Sequence, residues 1–136
     1  MLVNVGDNLD AYSDPPPNVK IESWFPQPSV IAQMDAVIHH GGNNTFTECL
    51  YFGVPAIITP YVWDGHDNAT RVQETGHGLK MHRSNWTDEE LARNLKTLIS
   101  DPKIQARTKA TAEYMQRFDG PRRAADSLEE LLYDTQ

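Results

Sequence analysis

The sequence predicts an α/β fold in which a parallel sheet of about five strands is flanked by helices and followed by a helical tail. Three observations support this prediction. Short apolar runs alternate with segments of helical periodicity, which is typical of parallel strands joined by helical crossovers. One of these runs leads directly into a glycine turn and then a helix. From Thr87 onward, the chain shows only helical patterns.

Short apolar runs mark the candidate strands. Each run is bounded by glycine, proline or polar residues that interrupt regular structure. The runs occupy residues 2–5, 19–21, 36–38, 55–59 and 78–81.

Two stretches between the strands are predicted to be irregular. Residues 6–18 are polar and contain three consecutive prolines, so we expect a loop there. Pro26 and Pro28 exclude regular structure over residues 24–28. Residues 29–33 then have room for one or two helical turns.

The helices are predicted from apolar residues at helical spacing and from residues that favour helix ends. The first predicted helix begins at Asn44 and ends at Gly53, and the second covers residues 67–74 and is closed by Gly76. A capping box at Thr87–Glu90 opens the third. The tail continues with a helix over about residues 103–118 and another that follows Asp119, whose apolar stripe is Ala124, Leu128, Leu131 and Leu132.

Composition limits the classes of function. A chain of 136 residues suits one domain. The net charge is −7 and no basic cluster exceeds Arg122–Arg123, which argues against a nucleic-acid partner. No apolar window is long enough to span a membrane. Cys49 is the only cysteine, which excludes an internal disulfide and fits a reducing compartment, so we expect a cytoplasmic protein.

The turn after residues 36–38 is a candidate phosphate site. It lies where a strand ends and a helix begins, which is where open α/β sheets bind ligands. Gly41 and Gly42 let the backbone approach a bulky anion. The N–H groups of the first helical turn, with the side chains of Asn44 and Thr45, can hold phosphate oxygens. His40 can donate a further hydrogen bond to a diphosphate.

Two functions are open for the residues that follow this turn. Glu48 lies one helical turn beyond Thr45, about 5 Å along the axis, where its carboxylate can accept two hydroxyls of a ribose. The alternative is structural: Asn44 or Thr45 caps the helix, and Thr45 with Glu48 forms a capping box.

Trp24 and Gln27 are candidates for binding a base. Trp24 can stack on the base, and Gln27 can form hydrogen bonds with the base or the sugar. The alternative for Trp24 is an aromatic residue of the core.

Asp64, His66 and Asp67 form a polar cluster after residues 55–59. They can bind sugar hydroxyls, bind a metal or cap the next helix. The metal is the least favoured because no third and fourth ligands stand at a fixed spacing. For His77 and His82 we expect surface or strand-end roles.

Four segments together carry a family resemblance. They are W-F-P-Q at 24–27, D-A-V-I-H-H-G-G-N-N-T-F-T-E-C at 35–49, G-V-P-A at 53–56 and P-Y-V-W-D-G-H-D-N-A at 60–69. In order and spacing they resemble the donor-binding signature of UDP-glycosyltransferases and bacterial macrolide- and antibiotic-type glycosyltransferases. The helical tail is similar to the end of the same domain.

The resemblance implies a Rossmann-like sheet in the C-terminal domain of a GT-B architecture. The implied function is transfer of a hexose from a nucleoside-diphosphate sugar, of UDP or TDP, to an acceptor hydroxyl, without a metal or other cofactor. The implied nucleotide-binding residues are Trp24, Gln27, His40, Gly41, Gly42, Asn44, Thr45 and Glu48, and the implied sugar-binding residues are Asp64, Gly65 and His66. The family usually has glutamine after the aspartate, whereas Gly65 and His66 stand here, which leaves the identity of the sugar open.

The resemblance also implies what this chain lacks. Residues 1–136 are expected to form the donor-binding domain without its first strand–helix unit and without the N-terminal acceptor-binding domain. The family's catalytic base lies in that other domain, so we expect no catalytic residue here and no activity from this chain alone. The partner would be that domain or a separate subunit.

The strand order 3-2-1-4-5-6 places the absent strand at the centre of the sheet. We therefore expect residues 2–5 to pair directly with residues 36–38 in one five-stranded sheet, with self-association through an open edge as the other outcome.

Two other functions are considered. A sugar-nucleotide epimerase can share this fold, but W-x-P-Q and D-x-x-D-N belong to the transferase pattern. A non-catalytic nucleotide-binding or interaction module is consistent with the missing base.

Overall fold

The strands form where the apolar runs predict them. The fold is that of a computed structural model, which describes residues 1–133. The strands are β1 (Leu2–Asn4), β2 (Lys20–Glu22), β3 (Val37–His39), β4 (Ala56–Ile58) and β5 (Gly78–Lys80). Every described strand pair is parallel, which confirms the predicted α/β class.

The chain divides into two compact units, and the first comprises Met1–Gln33. In this unit β1 pairs with β2, and a 3-10 helix, Gly6–Ala11, lies between them. A short helix, α1 (Gln27–Ile31), ends the unit. Two predictions are therefore wrong: residues 6–11 are not loop, and the irregular stretch ends before Gln27. Pro28 is tolerated because N–H groups in a first helical turn have no intrahelical acceptor.

The second unit begins at Met34 and contains a three-stranded sheet in the order β3-β4-β5. The central strand β4 is paired on both edges and is buried along its whole length, as is typical of a parallel strand whose faces are covered by helices. The flanking helices are α2 (Asn43–Phe52), α3 (Asp64–Glu74), α4 (Asp88–Ser100), α5 (Pro102–Met115) and α6 (Gly120–Tyr133). This confirms the helical tail. A cluster of Ile57, Met81, Leu98 and Ile104 forms the core between sheet and helices.

The predicted single sheet of five strands is wrong. The strands form one sheet of two and one of three, and among the described residues β3 is hydrogen-bonded only to β4. The expected pairing of residues 2–5 with residues 36–38 rested on the cost of an open edge. A strand of three residues exposes few N–H and C=O groups, so an open edge is tolerated.

The helix boundaries follow local signals, with two shifts. Gly53 ends α2 in the left-handed region at φ 71°, as predicted. The hydroxyl of Thr87 accepts the Glu90 N–H at 3.2 Å, which confirms the cap of α4. However, α2 begins at Asn43 and α3 already at Asp64, three residues before the predicted start, with Asp64 and Asp67 in its first turn. None of the described helices is long and apolar enough to cross a membrane.

Candidate functional site

The glycine turn and the loop before Asp64 meet at the carboxyl ends of the strands of the three-stranded sheet. Residues 40–42 follow β3, and Asp64 opens the helix that follows β4. Because β3 and β4 are parallel neighbours, their carboxyl ends lie side by side. The backbone N–H of Asn43, the first residue of α2, donates to Asp64 Oδ2 at 3.3 Å. Two groups of residues predicted separately from the sequence are thus adjacent.

Two glycines allow this approach. Gly41 is buried and has φ 94°, a conformation that favours glycine. A Cβ there would lie 2.8 Å from the Cα and the carbonyl oxygen of Gly65. A Cβ on Gly65 would lie 2.7 Å from the carbonyl oxygen of His40. The buried Gly65 therefore has a packing role.

Asn68 connects the two loops and was not among the residues predicted from the sequence. It is 5% exposed, and its Nδ2 donates to the carbonyl oxygen of Gly41 and to Asn43 Oδ1, both at 2.8 Å. The spacing of four residues from Asp64 places both on one face of α3. That spacing was a signal in the sequence that could have indicated Asn68.

His39 holds the turn from the strand side and was also missed. Its Nδ1 accepts the N–H of Gly41 at 3.1 Å, so the neutral ring carries its proton on Nε2, which has no hydrogen-bond partner among the described residues. Burial, and next the neighbouring His40, lower the pKa of His39 from 6.5 to about 4. His39 is therefore neutral near pH 7.

The start of α2 decides against the capping alternative. Gly42 is the N-cap residue, it makes no side-chain cap, and the first bond of the helix runs from Phe46 N to Gly42 O at 3.0 Å. Asn44 and Thr45 therefore lie inside the first turn, and a capping box formed by Thr45 and Glu48 is wrong. His40 and Asn44 are exposed, and Thr45 and Glu48 are half-buried. Asn43 and Asn44 present N–H groups ahead of the helical ladder.

Trp24 and Gln27 lie in the first unit. Trp24 is 73% exposed, which rules out the alternative of a core aromatic. Gln27 is half-buried and is the first residue of α1.

Trp63, directly before Asp64, has a strained backbone. Its φ of 39° and ψ of −115° are rare for a residue with a side chain, and the indole is 87% exposed. The sequence patterns gave no sign of it. Strain of this kind costs on the order of 1–3 kcal/mol and concentrates at binding sites. His66, three residues later, is exposed.

The other reactive groups have structural roles. Burial, and next Glu48, raise the pKa of the Cys49 thiol to about 12, so it is not a nucleophile. The ring nitrogens of His77 lie 2.8 Å from Thr75 Oγ1 and 2.7 Å from Thr111 Oγ1. His82 Nδ1 accepts backbone N–H groups of the turn that follows it. Both histidines flank β5, in line with the expected strand-end roles.

Among the described residues no cluster of metal ligands is found, and an open depression lies away from the candidate site. Residues 1–133 contain no group of three or more His, Cys, Asp or Glu side chains placed to hold a metal ion. An open depression lies near the junction of α5 and α6, lined among others by Tyr51, Tyr114 and Phe118. None of the candidate site residues lines it.

Comparison with known proteins gives one family. The profile of the family described as erythromycin biosynthesis protein CIII-like, C-terminal domain, matches residues 3–131. Among related sequences, the elloramycin glycosyltransferase ElmGT of Streptomyces olivaceus is 31% identical over 128 residues, which cover 94% of this chain and 32% of that protein.

Two solved structures extend the comparison. The calicheamicin glycosyltransferase CalG4 superimposes with a TM-score of 0.90 at 27% identity, over 98% of this chain and 36% of that protein. The glycosyltransferase VinC, solved in complex with dTDP, gives a TM-score of 0.74 at 27% identity over 82% of this chain and 29% of that protein. The chain therefore spans about a third of the length of each of these three relatives.

Proposed function

Because this chain belongs to the family of erythromycin biosynthesis protein CIII-like C-terminal domains, we propose that it is the donor-binding part of a glycosyltransferase. That enzyme transfers a hexose from a UDP-sugar or a TDP-sugar to an acceptor hydroxyl and releases the nucleoside diphosphate. The observation that carries the proposal is the junction of the two loops, where the Asn43 N–H meets the Asp64 carboxylate. It brings the residues assigned to the diphosphate beside those assigned to the transferred sugar.

The diphosphate is bound at the start of α2. The N–H of Asn43 already donates to Asp64, so the N–H of Asn44, which also precedes the helical ladder, is the donor assigned to the diphosphate, and the helix dipole favours an anion there. His40 is exposed and can donate from its ring. As the sugar–phosphate bond breaks, negative charge grows on the leaving diphosphate, and these fixed donors stabilise it. Thr45 adds a hydroxyl from the first helical turn.

The roles proposed for the nucleoside-binding residues are those that the family resemblance implies. Glu48 lies in α2 past the first turn, where its carboxylate accepts the ribose hydroxyls and stays clear of the phosphates. The exposed face of Trp24 stacks on the base, and Gln27 binds the base or the ribose.

The transferred sugar is bound by Asp64. An ionised carboxylate has about four acceptor positions, so Asp64 can accept sugar hydroxyls in addition to the Asn43 N–H. His66 follows in the same turn, in place of the family's glutamine pattern. We expect it to contact the sugar, with a preference different from that of the glutamine enzymes.

The catalytic base and the acceptor site belong to another part of the enzyme. The proposal includes an acceptor-binding domain or subunit as partner, because the chain spans only about a third of its relatives. The open edge of β3 is a candidate contact with that part or with a second copy. We place this chain in the cytoplasm, in keeping with its single cysteine. The relatives favour a transferase over an epimerase.

Calorimetric titration of the chain with UDP and with TDP tests the proposal. We expect binding of at least one nucleotide, and no release of UDP from UDP-glucose by this chain alone. A folded sample that binds neither nucleotide refutes the donor-binding role. Turnover by the chain alone would refute the placement of the catalytic base in another part of the enzyme. Absence of turnover even with the acceptor-binding partner would favour a non-catalytic module.

A further inference from the structure

Gly41 is held at both of its backbone groups by side chains from different elements. Its N–H donates to His39 Nδ1, at the end of β3, and its carbonyl accepts Nδ2 of Asn68, in α3. The residue has φ 94° and is followed by a second glycine, so the turn has more alternative conformations than a turn of other residues. These two hydrogen bonds select one of them.

Asn68 also fixes the start of α2. Its Nδ2 has two hydrogens, and the two acceptors, Gly41 O and Asn43 Oδ1, use both. One amide therefore joins the turn to the first residue of the helix. Because Asn68 is 5% exposed, solvent cannot easily replace its donors, and a partner left unpaired there is costly.

We propose that Asn68 is a positioning residue of the donor site. It acts through Gly41 and Asn43, and it holds the turn so that the N–H groups of α2 converge on the diphosphate. The inference rests on the proposed function, since it assigns this turn to the diphosphate. Without Asn68 the turn populates other conformations, and the apparent affinity falls by the fraction of molecules that remain competent.

The test compares substitutions at Asn68 with a matched substitution one turn further along α3. Asn68→Leu keeps the size of the side chain and removes both donors, while Asn68→Asp places a carboxylate against two acceptor oxygens. Val72→Ala is the control, because Val72 is 2% exposed, lies on the same face and takes no part in the turn. The probe is UDP or TDP, whichever the unaltered chain binds more tightly.

We expect both Asn68 variants to bind the nucleotide about tenfold more weakly, which corresponds to one unpaired buried group. Val72→Ala should lower the melting temperature through the cavity that it leaves, and it should leave the affinity within about twofold because Val72 makes none of the hydrogen bonds that hold the turn. An equal loss of affinity in Val72→Ala would mean that Asn68 acts through stability alone, which overturns the inference.

A second measurement, by NMR, reports on the conformation of the turn directly. In the folded Asn68→Asp chain, the amide NMR signals of Gly41 and Gly42 should shift or broaden, while that of Gly78 in β5 should not. Asn43→Ala removes one acceptor at an exposed position, so it tests the same link even if the Asn68 variants do not fold. We expect a smaller loss of affinity from it and a change in the same glycine signals.

The outcomes separate the two claims. If the unaltered chain binds neither nucleotide, the proposed function fails, and the inference fails with it. If the unaltered chain binds and the Asn68 and Asn43 variants bind equally well, with unchanged glycine signals, only the positioning role is overturned.

Discussion

The N-termini of α2 and α4 are built in opposite ways. The N-terminus of α4 is capped by the hydroxyl of Thr87, and its first turn carries three acidic residues, Asp88, Glu89 and Glu90. The backbone N–H of Glu89 itself, and next Thr87, lower the pKa of the Glu89 carboxyl. The helix supplies its own anions, so the positive end of its dipole is already neutralised.

The start of α2 has neither a side-chain cap nor acidic residues of its own. Gly42 is the N-cap without a side-chain cap, and the first turn has no acidic residue. Asp64, from another element, contacts only the first N–H. Without a local side-chain cap, α2 forgoes about 1 kcal/mol of local stabilisation. The difference between the two helix starts is in keeping with the proposed diphosphate site at α2.

Among the substitutions that test this difference, Gly41→Ala should have the largest effect on stability and on nucleotide binding. The new Cβ would meet Gly65 backbone atoms at 2.8 Å in a backbone conformation that alanine rarely adopts. We expect a loss of about 4 kcal/mol in the free energy of unfolding, together with loss of nucleotide binding. Denaturant unfolding and calorimetry measure the two effects.

Gly6→Ala separates the cost of the backbone conformation from the cost of the steric contact. Gly6 also has a positive φ, 56°, but no atom lies within 4 Å of a new Cβ there. Its cost should be only about 1 kcal/mol. Equal losses in the two variants would mean that the contact with Gly65 is unimportant.

Acid should lower the free energy of unfolding through His39, the last residue of β3. The unfolded state binds a proton on this ring below pH 6.5 and the folded state only below about pH 4, so stability falls as the pH falls through this window. The loss from this group is about 3 kcal/mol when the shift is converted at 1.36 kcal/mol per pH unit. Unfolding free energies at pH 7 and pH 4 measure it.

His39→Gln removes the titrating group and should reduce the pH dependence over the same interval by that amount. A pH dependence identical to that of the unaltered chain would contradict a buried neutral His39.

Glu48→Ala should weaken nucleotide binding by about 2 kcal/mol, because buried ribose hydroxyls would lose their acceptor. The melting temperature of the same variant measures any structural contribution of Glu48, which is not part of a cap because α2 begins at Asn43. Glu113→Ala, at an exposed position of α5, is the control for loss of one negative charge. Unchanged affinity with a lowered melting temperature would assign Glu48 a structural role.

Thr87→Ala should have the smallest effect on stability and, unlike Glu48→Ala, no effect on nucleotide affinity. Loss of the Thr87–Glu90 hydrogen bond should cost about 1 kcal/mol of stability. Nucleotide affinity should be unchanged, because the α4 start is not assigned to the ligand. Calorimetry that shows weakened binding would break the contrast between the two helix starts.

The sequence by itself determined the strands, most of the helices and the family, and it predicted the residues of the site. The apolar runs located the strands because a strand buried on both faces must be apolar throughout, as Ala56–Ile58 are. Thr87 and Gly53 marked helix ends because capping is a local interaction of neighbouring residues. The ordered motifs from residue 24 to residue 69 gave the family, to which the chain belongs.

Only the tertiary structure decided how the turn is held. Asn68 and Asp64 contact residues 41–43 across more than twenty positions of chain; helical spacing places both on one face of α3 but does not specify which residues that face contacts. The structure likewise placed Gly42 at the N-cap of α2 and split the strands between two sheets. Both outcomes depend on backbone groups finding partners in space, and a pattern of side chains along the sequence does not specify which partners come within reach.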